Sequence, residues 1–404
     1  MTALCPVFST NILGHAELSR TRHQMIEDGH FERILRAVGE IPCSISIEGA
    51  DLEIFPWLSE TLKSIDGKAT VIRGEWSHCF PSMVANSDLS LAVQNVVWGP
   101  KTKSKIHFIS EYATWQPTLA KQLVSKLGYR PAAYMLDSHT EVYSDYVPPS
   151  KKPELKKEIK DLGSGVVAIE SNGVYYLRIF LELLDEINKA FFTFQRFRDG
   201  RKERGSAKAV VAAMQSALVK AQAFTPVLFW PMDLESCFIG SHHGAVIYEE
   251  LVTEMLRTNI PLCGPNEAYD LLTPKATPSP TPHRRMSDKW EGVHSQRTLR
   301  DEIQIMLTLG RTKNSVRESK LKLLGAYSDG FVVKKFQHTP RVTLDADKGP
   351  LTFGGEHVDI VRVQEAALDH FMYGKPFGDT ISQLAHKHQD SVVLQRVRDW
   401  WVKK

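Results

Sequence analysis

The 404-residue sequence predicts an α/β fold, an irregular (β/α)7-type barrel followed by a mostly helical C-terminal region. Three observations lead there. Short, near-continuous apolar runs recur through residues 1–272, which suits parallel strands buried on both faces. Amphipathic stretches with helical periodicity separate them, and this alternation is the mark of a mainly parallel sheet. There are seven such runs and no GxGxxG after the first, which favours a closed barrel over a doubly wound dinucleotide fold.

Taken in order, the predicted strands are Ala3–Ser9, 43–48, Ala69–Arg73, 105–110, 132–136, 166–170 and 226–232. Predicted helices include 31–38, 52–65, 118–127, the Ala-rich 206–223 and 248–257. Residues 143–165, rich in Pro and Lys, read as a surface loop with a short helix. The basic cluster 196–205 (RFRDGRKERG) reads as a solvated loop or helix end, or else as an anion or partner site. Within 273–282 (TPKATPSPTP) the prolines remove N–H donors and fix φ, so neither a helix nor a central strand is expected. This divides the chain into a barrel over 1–272, a Pro-rich linker over 273–286 and a C-terminal domain over 287–404. In the last part, 297–309, 361–373 and 380–403 are helical by periodicity, whereas 330–358 has hairpin-like character.

Composition narrows the function classes. Lys and Arg number 50 against 47 Asp and Glu, a net charge of +3, too even to argue for nucleic acid or an anionic membrane as partner. No run of 18 apolar residues predicts a membrane span. Residues 1–11 carry no basic segment ahead of their apolar residues, so no signal peptide is expected. The five cysteines (Cys5, Cys43, Cys79, Cys237, Cys263) are odd in number and widely spaced, with no CxxC. Neither a disulfide framework nor a zinc–cysteine site is expected, Cys43 and Cys79 read as core residues, and the cytoplasm is the expected compartment.

Barrel enzymes place their chemistry just past the C-terminal ends of the strands. In strand order those positions hold Asn11 and His15; Glu48, Asp51 and Glu53; Glu75, Trp76 and His78; Glu111 and Trp115; Asp137 and His139; Glu170 and Asn172; and finally Asp233, Glu235, His242 and His243. Many carboxylates interspersed with tryptophan are what glycosidic chemistry needs. One carboxylic acid protonates the leaving oxygen, a second attacks or stabilises the anomeric carbon, and aromatic faces stack on sugar rings.

The densest piece, 226–244 (PVLFWPMDLESCFIGSHHG), runs from an apolar strand into Asp-x-Glu and then a Gly-x-His-His group. It resembles the fourth motif of glycoside hydrolase family 57, matching at Asp233, Glu235, Gly240, His242 and His243, with Ser241 inserted and two extra residues before Gly240. Residues 67–82 resemble the second motif, matching at His78, and 107–128 resemble the third, matching at Glu111. Residues 8–18 (FSTNILGHAEL) occupy the place of the first motif without its His-x-Pro, so Asn11 and His15 are loose substitutes. Residues 287–296 (SDKWEGVHSQ) resemble the Trp-containing segment that opens the family's helical region. Thr118 stands where many members carry Glu after Trp-x-Pro.

The resemblance implies a retaining glycoside hydrolase or transglycosylase acting on α-linked oligosaccharide or polysaccharide. Glu111 would be the nucleophile and Asp233 the general acid/base. His15, His78, Trp115, Trp230, Glu235, His242 and His243 would bind substrate, and no cofactor or metal is implied. Two alternatives stay open. Asp233, His242 and His243 could hold a metal in a carbohydrate deacetylase, although adjacent histidines on a helix point about 100° apart. The absent His-x-Pro and Thr118 would also suit a non-catalytic relative that binds sugar or a partner. Oligomeric state is left open.

Overall fold

The computed structural model describes residues 1–16, 28–65, 67–73, 76–77, 106–108, 130–136, 168–171, 174–202, 204–234, 243–272, 275–276, 302–303, 305–307, 315–327 and 358–403. The chain opens with β1 (Ala3–Ser9), α1 (Ile12–Ala16), α2 (His30–Gly39) and β2 (Cys43–Ile47). Next come α3 (Gly49–Ile54), α4 (Pro56–Ser64) and β3 (Ala69–Arg73), then β4 (Ile106–Phe108), β5 (Arg130–Leu136), β6 (Ala168–Ser171) and β7 (Val174–Ile179). After these follow α5 (Leu181–Arg198), α6 (Ala207–Ala221), β8 (Val227–Asp233), α7 (Gly244–Arg257), α8 (Pro265–Leu271) and the short β9 (Lys275–Ala276). The C-terminal region supplies α9 (Val316–Gly325), α10 (Val358–Tyr373), α11 (Phe377–Lys387) and α12 (Val392–Val402).

The strands run in two sheets, ordered β3-β2-β1-β8 and β4-β5-β7-β6-β9, with β3 lying against β4. Seven strands pair in parallel in two sets, β3-β2-β1-β8 and β4-β5-β7, in an α/β fold of irregular (β/α)7 type. One strand differs from the sequence expectation. The run at 166–170 is not the sixth barrel strand: β6 pairs antiparallel with β7, from Ala168↔Leu177 to Ser171↔Val174, and β7 takes the place beside β5. Between Ser171 and Val174 the sequence reads Asn172-Gly173, the strongest short hairpin signal there is.

Two predicted helices are each divided. The stretch 52–65 breaks at Phe55, because Pro56 lacks an N–H and clashes with a preceding turn but is well suited to the first position of a new helix. The stretch 380–403 breaks between α11 and α12, where the Ser391 hydroxyl accepts from Leu394 N and caps a fresh start. The basic cluster begins as a helix end: Arg196 and Arg198 sit in the last turn of α5, where cations favour the carbonyl end of the helix dipole. Gly205 is required just before α6, since a Cβ there would lie 2.4 Å from Phe194 Cα on α5. Within the Pro-rich stretch, only Lys275 and Ala276 are described. They form an edge strand on β6, where missing N–H donors are tolerated.

Helices α5, α6, α7 and α2 pack outside the β8-β1-β2 wall. Phe8, Trp230, Phe191 and Tyr248 form a buried aromatic cluster between strand and helix, with centroids 5.8–6.0 Å apart. Burying an aromatic side chain of this size stabilises the fold by roughly 3 kcal/mol. Arg33 on α2 forms a bidentate pair with Glu249 on α7, at 3.0 and 2.7 Å. Cys5, Cys43 and Cys263 are buried free thiols, and burial pushes the Cys5 and Cys43 thiols well up, so neither is a ready nucleophile. Cys79 lies outside the described residues.

The C-terminal helices share this core. Ser77 Oγ donates to Leu323 O at 2.7 Å, and Trp76 lies 5.7 Å from Trp400, ring centre to ring centre. Arg317 sits 3.9 Å over the Trp401 ring. Among the described residues, no helix is long and apolar enough to cross a membrane.

Candidate active site at the carboxyl ends of the strands

β1 and β8 pair in parallel through every residue, from Ala3↔Val227 to Ser9↔Asp233, so both strands end at the same level. Side chains on a strand alternate between faces. Phe8 and Trp230 point towards α5 and α7, where Trp230 packs on Phe191 and its Nε1 donates to Asn188 Oδ1 at 3.1 Å. Ser9 is one residue beyond Phe8, and Asp233 is three beyond Trp230. Both therefore face the opposite way, into the barrel. The Ser9 hydroxyl donates a hydrogen bond to Asp233 Oδ1.

β2 extends this inner face with Ser44 and Ser46, which pair with Val7 and Ser9. Thr10 ties the end of β1 to it, donating to Ser46 O from its N–H at 3.1 Å and from its hydroxyl at 3.0 Å. The side chains around this strand end are small and hydroxylated, and Asp233 is exposed among them.

The neighbouring acidic residues behave differently. Asp51 is fully buried and accepts from Ile12 N at 2.9 Å and Leu13 N at 3.0 Å, closing the start of α1. Asn11 Oδ1 accepts from Gly14 N at 3.1 Å and from the Tyr327 hydroxyl at 2.5 Å. Glu48, 2% exposed, lies with Oε2 3.4 Å from the same hydroxyl, and Gln364 donates to Tyr327 O at 2.8 Å. Glu53 is ion-paired with Lys320 and accepts from Trp400 Nε1 at 2.9 Å. Asn11, Glu48 and Glu53 thus tie the barrel end to the C-terminal region, and Asp51 ties it to α1.

Of the residues expected to form the site, the structure brings Asp233 to the inner rim. Trp230 is corrected: it is fully buried on the helix side, so it cannot stack on a sugar. His243 is exposed just ahead of α7, where its carbonyl accepts from Ile247 N at 2.9 Å and its side chain makes no capping bond. His15 is in α1, but its side chain lies outside the described residues, as do Glu111, His78, Trp115, Glu235 and His242. Two participants were missed, Ser9 and Tyr327. The hydroxyl of Ser9 at a strand end was visible. Its partner is 224 residues away, and that pairing needs the strand register. No group of three or more His, Cys, Asp or Glu that could hold a metal ion occurs among the described residues. Chemically, Asp233 is an oriented, solvent-reachable carboxyl that can exchange a proton with a molecule bound in the barrel mouth.

No family model matches the sequence, and no curated protein matches it. Solved structures do. A GH57-type branching enzyme from the hyperthermophilic archaeon Pyrococcus horikoshii superposes with a TM-score of 0.57 at 12% identity, over 98% of this chain and 97% of that one. A 4-α-glucanotransferase from Thermococcus litoralis gives 0.60 at 12% identity over 93% of this chain, which spans 60% of that enzyme. An α-amylase from Thermotoga maritima gives 0.52 at 12% identity, over 99% and 96%. At such identities the likeness is one of architecture: the chain has a GH57-like fold.

Proposed function

We propose that the protein is a retaining glycoside hydrolase or transglycosylase acting on α-linked carbohydrate. Asp233 is the general acid/base and Glu111 the nucleophile. The observation that carries this reading is the Asp233 carboxyl, exposed on the inner face at the end of β8, where barrel enzymes do their chemistry. The three neighbours support it, being named as a branching enzyme, a glucanotransferase and an amylase.

In the first step Asp233 protonates the leaving glycosidic oxygen while Glu111 attacks the anomeric carbon. In the second, Asp233 takes a proton from water or from a sugar hydroxyl, which displaces Glu111 with net retention. Such a pair works at a carboxyl separation of about 5–5.5 Å. His15, His78, Trp115, Glu235, His242 and His243 contact the sugar in this reading. The acceptor decides between hydrolysis and transfer.

Glu111→Gln tests the assignment. Turnover of an activated α-glycoside should fall by at least about 100-fold with the fold unchanged, and added azide should restore part of it by replacing the nucleophile. Full activity in the variant would remove Glu111 from the mechanism.

A further inference from the structure

We propose that Ser9 is the positioning residue for the Asp233 carboxyl, a role that rests on Asp233 being the general acid/base. The two residues are directly paired in the β1–β8 register and share the inner face, and the Ser9 hydroxyl donates to Asp233 Oδ1. A hydroxyl donated from the paired strand restricts rotation of the aspartate about its side-chain bonds. With Oδ1 anchored to the neighbouring strand, the plane of the carboxyl is set with respect to the barrel mouth. General acid catalysis depends on that alignment, because the proton must travel along a short line to the leaving oxygen.

The anchor is itself braced. Thr10, the next residue, makes two hydrogen bonds to Ser46 O, so the end of β1 is held on β2 as well as on β8. Ser9 is only partly buried, and water could satisfy its hydroxyl equally well. The bond to Asp233 therefore adds little to stability, and its contribution lies in orientation.

The test compares Ser9→Ala, Ser9→Thr and Asp233→Asn on a pair of α-glucosides, one with an aryl and one with an alkyl leaving group. Removing the Ser9 hydroxyl should lower kcat/KM, which reports the first step alone, by about 10-fold or more on the alkyl substrate and leave it within about threefold on the aryl substrate, because only the alkyl leaving group needs the proton. Ser9→Thr, which keeps the hydroxyl, should restore the rate. Equal losses on both substrates, or no loss, would overturn the role of Ser9 while Asp233→Asn still impairs the alkyl substrate. An Asp233→Asn enzyme with full activity would instead end the acid reading, and the Ser9 role with it. Crystal structures of wild type and Ser9→Ala decide independently of any substrate. The Asp233 carboxyl should leave its wild-type orientation in the variant, and an unmoved carboxyl would overturn the proposal.

Discussion

Two parts of the same barrel rim, the end of β8 and the end of β2, carry acidic residues in the same sequence setting and put them to opposite uses. Asp233 is exposed beside small hydroxyl side chains. Glu48 and Asp51 are buried, and Glu53 is held by Lys320 and Trp400. A strand-terminal carboxylate becomes structural when folding buries it against backbone N–H groups, a hydroxyl or an ammonium. It is available for chemistry when its surroundings leave it open to solvent. Among the described residues, the rim carboxylates that first pointed to glycosidic chemistry thus divide into a candidate acid and a set of braces.

The braces can be broken one at a time. Asp51→Ala should have the largest effect, since it leaves Ile12 N and Leu13 N dry at about 1–3 kcal/mol each. A denaturant midpoint unchanged from wild type would contradict the bracing role. Lys320→Ala should come next. It removes the ammonium from Glu53, which keeps the Trp400 N–H, and the side chains of the pair are 11% and 15% exposed. The loss should therefore fall somewhat below the about 3 kcal/mol of a fully buried pair. Lys320→Met would sharpen the point by keeping apolar packing against Trp76 without the charge. Ser315→Ala should have the smallest effect, about 1 kcal/mol, through loss of the capping box at the start of α9. In that box Glu318 accepts from Ser315 N, which holds its carboxyl below the usual range. Its contribution is present above the unfolded-state value and is lost as pH falls through the folded-state value. The stability gap between wild type and Glu318→Gln should therefore narrow in acid, and a gap constant across that range would remove the electrostatic part of the account.

Most strand positions were legible because period and composition are local, although β7 was not among them. β1 and β3 match their predicted limits, and β8 ends on the Asp233 that the motif singled out. Pairing was not legible in the same way. The run 166–170 reads as a parallel barrel strand, and its antiparallel pairing with β7 could be read only from the Asn172-Gly173 dipeptide that follows it in sequence. Trp230 shows the limit for side chains. It lies in an apolar run where periodicity cannot tell inside from outside, and the direction follows only once α5 and α7 are known to cover that face. The division at Pro56 was readable, because proline placement is a local rule. Tyr327 was beyond reach, since it meets Asn11 from 316 residues away.

The claim that the open carboxylate is the functional one is tested most directly by Asp233→Asn, with rate constants on an aryl and an alkyl α-glycoside and a denaturation curve on the same preparation. The account predicts a kcat/KM lowered by about 100-fold or more on the alkyl substrate, a much smaller loss of kcat/KM on the aryl substrate, and stability close to wild type. Equal losses on both substrates, or unaltered rates with reduced stability, would make Asp233 one more brace like Asp51 and would contradict it.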